Sequence, residues 1–372
     1  MMQISPETQL FIREHSSDDV RVLALQAKKY PDIDMPTVIT QIAGRKVAAE
    51  KIPSWWEIEK IWYPKHLSLE QCSSEITARY KARLLQGDSL TDLTGGFGID
   101  CSFLATGFKS ATYVERQEEL CEIAAHNFPV LNLNHINIKN EDGVTYLQAM
   151  SPVDCLFLDP ARRNEHGGKT VAISDCEPNV AELEELLLQK ANRVMIKLSP
   201  MLDLSLALKE LKQTQEVHIL SVNNECKELL ILLGQTSPTE ISIHCVNLST
   251  KGTQKEQHFV FTREQEQCSE CTYTDSLETY LYEPNASLLK AGAFRSIAAA
   301  YPVRKLHPNS HLYTSDTFIE NFPGRIFRIV NQCSFNKKEV KENLADLKKA
   351  NVTVRNFPAT VAELRKRIHL AE

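Results

Sequence analysis

The residues that could do chemistry cluster at five points in the chain. The first is Asp92-Leu-Thr94-Gly95-Gly96-Phe-Gly98. Glycines at this spacing let a backbone approach a ligand closely, and the turn reads as leading from a strand into a helix. A dinucleotide-binding turn would want a third glycine, but Cys101 stands there. Asp92, just ahead of the loop, suits a ligand with a cationic amino group better than a pyrophosphate. The second point is Glu115, about 20 residues beyond the glycines, where a carboxylate can accept both hydroxyls of an adenosine ribose. The third is Asp142, in Glu-Asp-Gly, which could accept from an adenine amino group or cap the next helix. The fourth is Asp159-Pro160-Ala161-Arg162-Arg163, and the fifth is Lys197-Leu-Ser-Pro200. Each of these five could alone be a bland turn or a surface acid.

What makes them a set is the elements that must carry them. Short apolar runs at Leu90–Leu93, Ala111–Val114, Ile136–Ile138, Val153–Leu158 and Arg193–Leu198 alternate with amphipathic stretches such as 116–128 and 179–190. That alternation predicts a parallel sheet with helices on both faces, and such sheets bind ligands at the carboxyl ends of their strands. Every one of the five points is such an end. Val217–Val222 and Leu229–Leu233 follow with too little chain between them for a crossover helix, so they should pair antiparallel. The expected fold is therefore α/β and Rossmann-like, with seven strands: five parallel units and a terminal hairpin.

Around this core, residues 1–85 read as helical. Leu69, Cys72, Ile76 and Tyr80 recur at helical spacing behind Ser68 as an N-cap. After Gly234 the chain turns β-rich, with a hairpin expected about Lys251-Gly252-Thr253. Residues 265–324 read as a small mixed domain. Residues 325–372 read as strand (326–330), helix (337–350), strand (352–354) and helix (360–370), a small α/β unit.

Composition excludes several classes. Hydrophobic residues make up 42% and charged residues 24% of 372, an ordinary globular balance. No apolar run approaches the ~20 residues of a membrane span, and no leader pattern opens the chain. Ten cysteines, mostly isolated in apolar stretches, fit reduced thiols and a cytoplasmic location. Cys268 and Cys271 form one CxxC without a second half, so no metal is expected. The net charge of −6 conceals an asymmetry: residues 325–372 hold 11 Lys and Arg against 5 Asp and Glu. A basic end on an acidic body suits either a solvated surface or a polyanion partner.

With these residues in view, the sequence resembles the class I S-adenosylmethionine-dependent methyltransferases. The resemblance extends to a bacterial family with a THUMP-like C-terminal end, carried by Gly44-Arg-Lys-Val-Ala48, Lys197-Leu-Ser-Pro-Met-Leu-Asp203, Glu225-Cys-Lys-Glu228 and Glu283-Pro-Asn285. It implies four parts: a helical N-terminal domain (1–85), a methyltransferase domain (86–264), a small ferredoxin-like domain (265–324) and a THUMP-like basic domain (325–372). It implies S-adenosylmethionine as cofactor, held by Asp92, Thr94, Gly95, Gly96, Gly98, Glu115, Asp142 and Asp159. It also implies an RNA substrate, rRNA or tRNA, with a nitrogen as the expected acceptor and Asp159, Pro160 and Arg162 as the catalytic set. Arg163, Lys169, Lys337, Lys338, Arg365, Lys366 and Arg367 are the expected RNA contacts. Enzymes that methylate exocyclic nitrogens usually place Pro and an aromatic where this chain has Ala161 and Arg162. No cysteine at the strand tips supports carbon-5 pyrimidine chemistry. The competing readings are a small-molecule methyltransferase, a non-catalytic RNA-binding protein on this fold, and a nucleotide-binding dehydrogenase.

Overall fold

The computed structural model describes residues 4–162, 172–236, 238–251, 254–345, 347–355 and 357–368. Arg163 and Lys169 lie outside them, as do Gly252 and Thr253. The chain divides into two compact units, one of residues 1–218 and 227–241, the other of residues 219–226 and 242–372.

The first unit opens with six helices: α1 (Pro6–Glu14), α2 (Val20–Leu25), α3 (Met35–Lys51), α4 (Pro53–Trp56), α5 (His66–Gln71) and α6 (Glu75–Ala82). The sheet strands are β1 (Ser89–Asp92), β2 (Ser110–Glu115), β3 (Ile136–Asn140), β4 (Val153–Leu158), β5 (Ala191–Leu198), β6 (Thr214–Val222) and β7 (Glu225–Gly234). Between them run α7 (Ile99–Ala105), α8 (Glu118–Val130), α9 (Gly143–Ala149), α10 (Val180–Lys190) and α11 (Leu204–Glu210). β1 to β5 pair in parallel and β7 enters antiparallel to β5. Leu229–Leu233 on β7 and Val194–Ile196 on β5 are fully buried, as expected for strands covered on both faces. Each such side chain contributes roughly 1.5–3 kcal/mol, which fixes the register of the centre.

The sheet order is β3-β2-β1-β4-β5-β7-β6, continued by β8 (Ser242–Leu248) and β9 (Glu256–Thr262). The seven expected strands are thus present and two more extend them. The turn between β6 and β7 is tighter than the sequence suggested. Asn223 and Asn224, at φ of 50° and 66°, make a two-residue turn, because asparagine tolerates the left-handed region. Glu225–Glu228 therefore belongs to β7.

The N-terminal helices share their core with the sheet unit. Trp55, Ile61, Tyr63, Leu69 and Ala78 bury against Phe97, Ile99 and Ile123. The single helix expected behind Ser68 is two. Lys65 stands at the α5 N-cap, and Cys72 ends that helix in an extended conformation (φ −66°, ψ 159°). The apolar spacing runs unbroken across the join, which is why it misled. The break is held by polar bonds of Ser73 instead.

In the second unit, α12 (Arg263–Cys268), α13 (Ala286–Ala291) and α14 (Ser296–Ala300) accompany a small antiparallel sheet. Its strands are β10 (Tyr280–Pro284), β11 (Arg304–Lys305), β12 (Tyr313–Ser315) and β13 (Gly324–Arg328), in the order β11-β12-β10-β13. Two helices follow, α15 (Lys337–Asn343) and α16 (Val361–Ile368). α15 stops seven residues short of its expected end, and the described residues of 352–354 form no strand. No helix among the described residues is long and apolar enough to cross a membrane.

Candidate active site

The tip of β1 organises the site. Asp92 is buried, and its Oδ1 accepts from the Thr94 N–H at 2.9 Å. Among the described residues, its Oδ2 is buried with no hydrogen-bond partner. Burial pushes the Asp92 carboxyl up to about 8, against the opposing Thr94 N–H. An orphaned carboxylate oxygen beside a glycine loop fits a ligand that brings its own donor.

Each glycine has a separate reason. A Cβ at Gly95 would fall 2.2 Å from the Tyr113 ring. Gly96 lies at φ +54° and Gly98 at φ +84°, where side chains are strained. Above Gly96 the space is open, the nearest atom to a Cβ being the Thr94 carbonyl at 3.8 Å. The Gly96 N–H donates to Glu115 Oε2 at 2.9 Å, and the Gln117 N–H to Oε1 at 2.8 Å. Glu115 thus ties the loop to the end of β2 and keeps lone pairs to spare. Asp142 caps α9, its Oδ1 accepting from Val144 and Thr145 N–H groups. Of its two sequence readings, the cap is the one with bonds behind it.

Thr94 joins β1 to β4: the Asp159 N–H donates to Thr94 Oγ1 at 2.6 Å. Pro160 is buried behind it, and the backbone of Arg162 pairs with Cys176. Asp159 is not a lone acid. Lys197 Nζ, from the end of β5, lies 2.6 Å from its Oδ2.

That ion pair opens onto a buried network the sequence did not reveal. Lys197 Nζ also reaches Ser73 Oγ at 3.0 Å and Asp100 Oδ2 at 3.2 Å. Ser73 Oγ donates to Asp100 Oδ2 at 2.7 Å. Lys81, fully buried on α6, contacts Ser73 Oγ at 2.8 Å, Asp100 Oδ1 at 2.9 Å and Glu228 Oε2 at 2.6 Å. Burial alone would raise the Asp100 carboxyl, but Lys81 and Lys197 outweigh it and hold it well below the usual range. Burial would likewise lower the Lys197 ammonium, but Asp159, Asp100 and Glu228 hold it well above. Asp159 is raised: partial desolvation at the tip of β4 outweighs the pull of Lys197. The network thus holds three carboxyl groups, Asp100, Asp159 and Glu228, against two lysines. Lys197 stood in view as the one charge inside the run Val-Met-Ile-Lys-Leu, and a charge there demands a partner.

The expected RNA contacts among the described residues lie in the second unit. Lys337 and Lys338 are exposed on α15, and Lys366 and Arg367 are exposed on α16 beside half-buried Arg365. Arg325 and Arg355 both pair with buried Glu283 on β10.

A family model for a ferredoxin-like domain matches residues 280–323, and one described as THUMP domain-like matches residues 324–372. Among solved structures, a "putative methyltransferase from Porphyromonas gingivalis W83" is 34% identical and covers 100% of this chain and 94% of its own, with a TM-score of 0.88. Two others overlap only in part. An "rRNA Methylase from Streptococcus thermophilus" is 14% identical over 43% of this chain and 93% of its own, TM-score 0.31. A "putative methyltransferase from streptococcus mutans in complex with SAH" is 13% identical over 43% of this chain and 96% of its own, TM-score 0.31. No curated protein matches the chain.

Proposed function

The chain belongs to the family of the Porphyromonas gingivalis protein, class I S-adenosylmethionine-dependent methyltransferases with a THUMP-like C-terminal domain, and from that premise we propose that it methylates a nucleotide in RNA. The observation that carries the cofactor is the orphaned Asp92 Oδ2 under the Gly95–Gly98 loop. S-adenosylmethionine supplies an electrophilic methyl on a sulfonium.

The residues divide the work of holding it. Asp92 receives the amino group, and Thr94, Gly95, Gly96 and Gly98 provide a backbone a ligand can lie against. Glu115 accepts from the ribose hydroxyls with the lone pairs left by its two backbone bonds. Asp142 stands by the adenine, with one oxygen committed to its cap. Asp159 meets the acceptor at the tip of β4, set against Pro160. Arg162, Arg163 and Lys169 follow it in the chain and serve as phosphate contacts, as do Lys337, Lys338, Arg365, Lys366 and Arg367. Methyl transfer is an in-line displacement, so alignment and exclusion of water are most of what such a site contributes.

RNA is favoured as substrate by the THUMP-like match and by the basic end that coincides with it. The test is transfer of labelled methyl from S-adenosylmethionine to total RNA of a strain lacking the gene. Label in a discrete rRNA or tRNA is the expected result. Cofactor binding without any label in RNA would redirect the assignment to small-molecule acceptors.

A further inference from the structure

Lys197 changes which acceptor atom the site suits. Its ammonium lies 2.6 Å from the Asp159 carboxylate and is held from behind by Asp100 and Ser73. Asp159 is the exposed end of this network, at 38% side-chain exposure against 10% or less for the others that pair in it. A reacting atom that approaches Asp159 therefore meets a fixed cation beside it.

The sign of the charge that develops decides between acceptors. An amine nitrogen becomes positive as it attacks the methyl, and a buried ammonium a few ångströms away opposes that. A hydroxyl oxygen must shed its proton and becomes negative as it does so. Asp159 can take the proton while Lys197 stabilises the oxygen. The one hydroxyl that nearly every RNA nucleotide carries is the ribose 2′-OH.

Resting on the RNA reading above, we propose that the acceptor is a ribose 2′-hydroxyl, with Asp159 as the base and Lys197 as the cation that stabilises the developing alkoxide. The O–CH3 bond forms as the S–CH3 bond breaks, the sulfonium becomes a neutral thioether, and the hydroxyl proton passes to Asp159 and then to water. Asp100, Glu228 and Ser73 are positioning residues that keep the Lys197 ammonium charged and fixed, and Lys81 anchors those three in turn.

The experiment labels RNA with the intact protein and S-adenosylmethionine, then hydrolyses it in alkali. A 2′-O-methyl group removes the hydroxyl that cleaves the adjoining phosphodiester, so the label should appear in alkali-resistant dinucleotides. Label in mononucleotides would overturn the hydroxyl acceptor and leave the RNA reading intact. Cofactor binding with no label in RNA would overturn both. Lys197→Met should lower kcat about 10²-fold or more, with cofactor Kd within about twofold, and Lys197→Arg should restore part of the loss. A kcat for Lys197→Met within about threefold of wild type would remove Lys197 from the chemistry. If that variant does not fold, Asp159→Asn, which keeps the shape and loses the base, must show the same split between kcat and Kd.

Discussion

At the scale of single residues, Asp92 has the clearest consequence. Its folded pKa of about 8 lies above the unfolded value of about 3.9. Between those values the unfolded chain releases a proton that the folded chain keeps, so stability falls as pH rises through this window and is level beyond it. Asp92→Asn should therefore flatten the decline in urea midpoint between pH 5 and pH 8 while weakening cofactor binding. An ammonium arriving at Oδ2 should expel the Asp92 proton, and calorimetry in two buffers of different ionisation enthalpy would count it. Asp159 shifts in the same direction but acts on rate. As a base it must be ionised, so kcat should fall as pH drops through a value above the ordinary carboxylate range. An acid limb no higher than that of a free carboxylate would contradict this. The glycines separate folding from binding. Gly95→Ala would drive its Cβ into Tyr113 and should cost folding, whereas Gly96→Ala meets only left-handed strain of roughly 1–2 kcal/mol. Gly96→Arg should fold and lose the cofactor, as thermal shift with and without S-adenosylmethionine would report.

At the scale of elements, the strands of the parallel sheet were legible because each is a short apolar run with a polar tip. Val153–Leu158 is bounded in the structure as its sequence predicts. The tips lined up because parallel strands place their carboxyl ends on one edge. What could not be read was pairing across distance. Lys81 and Glu228 are 147 positions apart, and no local spacing joins an α6 lysine to a β7 glutamate. The broken helix at Cys72–Ser73 is of the same kind: its apolar rhythm is continuous, and the bonds Ser73 makes outside the helix are to Lys81, Lys197 and Asp100. Ser73→Ala should remove the shared bond of both lysines. It should destabilise the protein by about 1–3 kcal/mol, an unmet buried polar group being the cause, read as a drop in urea midpoint with unchanged m-value.

At the scale of the whole molecule, charge is uneven, and the basic end is the part whose role rests on RNA. Reversing Arg365, Lys366 and Arg367 to Glu should raise the RNA Kd and flatten its dependence on salt, with cofactor affinity unchanged. Binding equal to wild type would mean those side chains take no part in holding RNA. Arg325 and Arg355 are poor choices for such a test, since Glu283 already occupies them. The route by charge reversal matters because cutting the chain is not equivalent to it. β13 opens the THUMP-like match at Gly324, yet from Gly324 to Arg328 it is the hydrogen-bonded neighbour of β10. Removing residues 324–372 would bare the β10 edge, leaving a row of unpaired N–H and C=O groups that invites strand addition from another copy. A truncated protein should therefore self-associate, and a loss of RNA binding in it would report aggregation before it reported recognition.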